Sequence, residues 1–102
     1  MSGVSNPYEY QYETVAASVT AQVLGTTGAV GDYLHRLIIS NVTAASASVT
    51  IVDGSTSIII QTGAATVPLG IFSIELNMAS ASGAWKVTTG AGSTVIGVGI
   101  FS

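Results

Sequence analysis

The side chains able to do acid–base, nucleophilic or metal chemistry are few and scattered. The chain has one histidine, five carboxylates, two cations and no cysteine in 102 residues. His35 lies beside Arg36 in an apolar stretch. A catalytic triad needs a nucleophile, a base and an orienting acid brought together. Only Asp32 is near His35 in sequence, and no Gly-x-Ser-x-Gly elbow is present. His35 is therefore expected to be a half-buried or interfacial side chain, and no catalytic residue is assigned. Asp32, His35, Asp53 and Glu75 are the conceivable scattered metal ligands. Calcium requires six to eight oxygens from clustered groups, and these residues form no such cluster in sequence. Without cysteine there is neither a thiolate site nor a disulfide framework. Glu9 and Glu13 share one side of an extended segment about 13 Å apart, too far for a glycosidase pair. Gly25-x-x-Gly28-x-x-Gly31 lacks the lysine and following helix of a phosphate loop and is expected to be a flexible connection. Asn41-Val42-Thr43 matches a glycosylation sequon, which matters only in a secreted chain. The sequence thus predicts no enzyme, no cofactor and no metal.

The most specific pattern is aromatic. Tyr8, Tyr10 and Tyr12 alternate with Glu9, Gln11 and Glu13, which sets three rings on one face of an extended segment. Such a row can pack on its own sheet, stack on sugar rings, or cross a partner as an added strand. The segment lies near a terminus and follows Pro7, so partner docking through Tyr8, Tyr10 and Tyr12 is the expected role. Residues 1–14 are accordingly expected to form an extended arm, and residues 15–102 the folded domain.

Elements with a period of two dominate that domain. Alternation continues from Val15 to Val23, and Tyr33 to Val42 is apolar on both sides, as in a central or doubly covered strand. Ser48 to Val52 and Ser57 to Thr62 flank Asp53-Gly54, a dipeptide that supplies the positive φ angles of a tight hairpin. Val67-Pro68 suits an edge or a connection, because proline cannot donate to a ladder. Phe72, Ile74, Leu76 and Met78 are expected inward, opposite Ser73, Glu75 and Asn77. Trp85 and Val87 oppose Lys86 and Thr88. In the final strand Ile96, Val98 and Ile100 share one face, while Gly97 and Gly99 on the other admit a large ring such as Trp85. About seven or eight short antiparallel strands at this spacing predict an all-β fold, a single β-sandwich or jelly-roll-like domain.

Composition narrows the function classes. Charged residues are 7% of the chain, against about 25% in ordinary soluble domains. A surface so poor in charge suits a protein that hides part of itself in a multimer. Arg36 and Lys86 cannot neutralise several phosphates, and the net charge is −3, so no nucleic-acid partner is expected. No apolar run reaches the roughly 18 residues of a membrane helix, and the first residues lack a signal peptide's basic and apolar regions. No membrane partner is expected, and synthesis is assigned to a cytoplasm.

Several stretches carry a family resemblance: Tyr12 to Ser18, Gly31 to Ile38, Asp53-Gly54-Ser55, Phe72 to Leu76 and Gly83 to Gly92. Over about residues 8–102 the chain resembles a family of small tailed-bacteriophage virion proteins. The resemblance implies a capsid decoration (cement) protein, a homodimer or homotrimer bound to the major capsid protein on the outside of the head. It implies a virion location after synthesis in the host cytoplasm, and it carries no functional residues over. The competing expectation is a carbohydrate-binding or adhesive module of a phage tail or fibre. An exposed aromatic platform beside hydrogen-bonding acids and amides would mark that alternative.

Overall fold

The computed structural model describes residues 10–102. Eight strands follow in chain order: β1 (Gln11–Val15), β2 (Gln22–Val23), β3 (Tyr33–Asn41), β4 (Val49–Asp53), β5 (Thr56–Gln61), β6 (Gly70–Ala79), β7 (Trp85–Thr89) and β8 (Ser93–Ile100). One 3-10 turn, Ala44–Ser46, bridges β3 and β4. The strands build two antiparallel sheets of four, ordered β1-β8-β3-β6 and β2-β7-β4-β5. That interleaving is the strand order of a jelly roll, so the all-β sandwich expected from the sequence is the observed architecture.

The core lies between the sheets. Val15, Leu34, Leu37, Ile39 and Val95 from the first sheet meet Val49, Ile51, Trp85 and Val87 from the second, and Leu24 and Phe101 plug the space between. Trp85 is buried and donates its indole N–H to the Asp32 carbonyl at 2.8 Å. Ile74, Leu76 and Met78 pack onto this cluster as the alternation of β6 predicts. The Asp53-Gly54 hairpin also forms, with Gly54 at φ 60°. The Asp53 carboxylate caps a neighbouring turn, accepting from the backbone N–H groups of Ser82, Ala81 and Gly83. Those bonds hold its carboxyl below the ordinary value of 3.8.

Four expectations are corrected. Gln11–Thr14 are not part of an arm: β1 pairs with β8 from Gln11↔Gly99 to Val15↔Val95, so the sandwich starts before Val15. Residues 1–9, the rest of the expected arm, lie outside the described residues. The alternation from Val15 to Val23 is not one strand. The chain turns at Ser18 and Ala21, both with positive φ, and crosses to the other sheet. Thr89 holds the crossing by accepting from Val19 N–H and donating to the Ala16 carbonyl, so a threonine hydroxyl replaces ladder bonds.

The last two corrections concern glycines. Gly97 and Gly99 face the core, but the side chains that approach them are Leu24 and Phe101 rather than Trp85. The Gly25–Gly31 connection is anchored instead of flexible. Thr27 and Gly28 donate to the Ser102 carbonyl, Gly25 N–H bonds Glu13, and Asp32 binds Ala29 N–H and Ser102.

Candidate docking face

Residues directly opposite one another in antiparallel strands share a face, so the ladders fix what the first sheet presents outward. One row reads Tyr12, Val98, Arg36, Glu75 across β1, β8, β3 and β6. The next reads Thr14, Ile96, Ile38, Ser73, and the one beyond it Thr94, Ser40, Ile71. On the other flank Ile100 stands opposite Tyr33. Ile96, Val98 and Ile100 therefore run down the middle of the outer face, where alternation would place polar groups. Tyr12 is 73% exposed and Ile71 72%. Arg36 and Glu75, together in one row, are the Asp, Glu, Lys and Arg residues on this surface among the described residues.

The second sheet behaves differently. Its outer side carries Val23, Lys86, Val52 and Ser57 in one row and Thr88, Thr50 and Ile59 in another. Polar and apolar side chains mix there, as on a solvated sheet.

At one end of the first face the aromatics gather. Tyr10 stacks on His35 with ring centroids 4.4 Å apart and planes 11° from parallel. Tyr33 lies 6.2 Å from Tyr10 and 6.4 Å from His35. A bulge in β3 produces this gathering, because His35 and Arg36 together oppose Val98 of β8. Asn77, at φ 52°, folds its amide back, and its Oδ1 accepts from the Tyr33 hydroxyl at 3.0 Å and lies 2.7 Å from His35 Nδ1.

Of the sequence-predicted docking tyrosines, Tyr8 lies outside the described residues, and Tyr10 and Tyr12 both point outward from the first sheet. Alternation located them correctly on one face. Glu13 is half-buried on the other side, where its carboxylate accepts from Gln22 Nε2 and Gly25 N–H, each at 2.9 Å. Gln11 beside it accepts from Phe101 N–H at 2.8 Å. A recess of about 300 Å³ there is lined by Gln11, Tyr12, Glu13, Gly25, Thr26 and Phe101. Its one carboxylate is already engaged at both oxygens.

Tyr33 and the β8 isoleucines were not assigned to the surface from the sequence, whereas Asn77 was placed outward and is exposed. The bulge that turns His35 outward has no signature in the residue types. The scattered acids do not converge: among the described residues no three of His, Cys, Asp and Glu group as metal ligands. Asn41 of the sequon is buried, with bonds to Gln61, Ser93 and the Pro68 carbonyl, so a glycan has no access to it in the fold. No protein-family model, no curated protein and no solved structure matches this chain.

Proposed function

We propose that this is a structural virion protein of the decoration, or cement, type, which seats the outer face of the β1-β8-β3-β6 sheet on a phage capsid and stabilises it without chemistry. One observation carries the reading: half-buried Ile38, Ile96 and Val98, flanked by exposed Tyr12, Ile71 and Ile100, set an apolar stripe on that face among Thr14, Ser40, Ser73, Arg36 and Glu75. Exposed apolar surface of this kind marks an interaction site. The sequence resemblance to small tailed-phage virion proteins supplies the partner, the major capsid protein. A capsid repeats its sites many times, so an oligomeric ligand gains avidity from modest individual contacts. Low charge suits such contacts, because interface centres are depleted of charged residues.

The aromatic cluster favours a second reading, an adhesive module that stacks a sugar on Tyr10, Tyr12 and Tyr33 beside the Asn77 amide. Its weakness is that Asn77 Oδ1 is already shared between Tyr33 and His35.

The test is binding of the purified protein to undecorated capsids of its own phage. Val98→Glu places a charge in the middle of the face and should weaken binding by roughly tenfold or more. Val52→Glu, on the outside of the second sheet, should leave binding unchanged. Equal effects of the two variants would remove this face from the proposal. Retention on a glycan surface that Tyr10→Ala abolishes would move the assignment to the adhesive reading.

A further inference from the structure

An antiparallel sheet has two edges, each with unpaired N–H and C=O groups, and native proteins protect those edges by recognisable means. Three of the four edges here are protected. β1 is short and carries an inward-pointing Glu13; β2 has two residues; β5 is broken by a register shift against β4. β6 also shifts register, but only at Leu76–Asn77 opposite His35, so Gly70–Glu75 stays in continuous register with β3. It is the longest strand, ten residues, with no lysine and no proline, and its one charge, Glu75, sits on the outer face. Among the described residues it pairs with β3 alone.

From this we propose that β6 is the self-association edge, where two copies add strand to strand about a two-fold axis and continue one sheet into the next. The inference rests on the reading of the protein as an assembling structural protein, and it names the surface that joins the copies.

Three observations commit the edge to a second copy. The first is length. Gly70 at φ 116° bends one end, and the register shift at Leu76–Asn77, with Asn77 at φ 52°, the other, leaving Ile71–Glu75 as a regular stretch of five residues. An antiparallel strand complements its own copy, because both present the same main-chain pattern in opposite directions.

The second observation is charge. Outer residues must meet outer residues, so the symmetric pairings are centred on single residues of β6. Centring on Glu75 would set two carboxylates opposite each other, which is unfavourable. Centring on Ser73 or Ile74 keeps them apart and stays within the regular stretch.

The third is apolar cover. Phe72 is 39% exposed on the inner lip of β6 and would meet Ile74 or Leu76 of the other copy. The Glu13–Gln22 contact stacks β1 on β2, which leaves β5 at the same side as β6.

The full-length protein should sediment as a dimer at micromolar concentration. Ser73→Glu places a carboxylate beside Glu75 of the other copy, or opposite its own counterpart, and should raise the dimer Kd by roughly tenfold while leaving the melting curve of the diluted monomer unchanged. The chain lacks cysteine, so introduced thiols report register without background. Ser73→Cys alone should cross-link if the axis passes through Ser73. A mixture of Ser73→Cys and Glu75→Cys chains should cross-link between variants if it passes through Ile74. Absence of both products overturns the proposal.

Val98→Glu should not change the dimer. If it dissociates the copies while Ser73→Glu does not, the outer face joins them and the edge assignment fails, although assembly itself stands. A chain lacking residues 2–9 should remain dimeric. Loss of the dimer on that truncation would give the occupancy of the edge to the N-terminal segment instead. A 10.2 kDa monomer at all concentrations would overturn the edge and the self-assembly reading together.

Discussion

At Gly97 and Gly99 the residue types point one way and the fold another. Ile96, Val98 and Ile100 are the bulky apolar members of β8, and hydrophobicity alone assigns them to the core. The core instead receives the glycine side, because Leu24 and the Phe101 ring already fill that volume. A methyl group on Gly99 would strike the Tyr33 carbonyl. Burial is decided by the space left by all neighbours, and a strand's own side chains give no account of that space. Asp53 is the contrary case, legible from two letters. Its lowered pKa makes its carboxylate bonds a source of stability at pH above about 3.8, lost as pH falls through the folded value. In an acid titration of unfolding, Asp53→Asn should remove part of the loss of stability below that pH. Superimposable acid limbs for the variant and the parent would assign the lost stability to other carboxylates.

Among the elements, the clearest predictions were those with strict alternation and one buried side. β7 follows it closely, β6 follows it except at Phe72, which was expected inward and is exposed, and the β4–β5 hairpin follows its turn dipeptide. Residues 15–23 alternate equally well yet form no single strand. A sandwich requires the chain to change sheets there, and small Ala, Ser and Thr residues allow the crossing. β1 was read as an arm because its tyrosines face outward and its composition differs from the domain's. Its pairing with β8 is a main-chain property that residue types do not carry. Removing residues 2–9 should therefore leave the melting temperature nearly unchanged. Extending the deletion through Val15 should abolish the cooperative melt or cause aggregation, since it strips β8 of a neighbour and removes a core valine. Equal melting curves for the two truncations would restore the arm to residues 1–14.

For the whole molecule, the class of fold was legible while the arrangement of strands was not. Short alternating segments imply two sheets, but nothing in them orders β1-β8-β3-β6. The position of β8 in that order has a consequence for how the protein is made. β8 is made after the other seven described strands and lies between β1 and β3, so the sheet has a gap until residues 93–100 have left the ribosome. Until then β1 lacks its ladder partner, and β3 has β6 on one side only. Folding that waits for distant segments is slow, in the millisecond-to-second range, and exposes unpaired strands meanwhile. A nascent chain stalled before Ser93 should be degraded rapidly in a protease pulse, and one stalled with Ser102 clear of the exit tunnel should resist. Protection at the earlier stall would mean that the seven preceding strands fold without it. Assembly through β6 is then timed by β8: the edge becomes a defined template only when its own sheet has closed behind it.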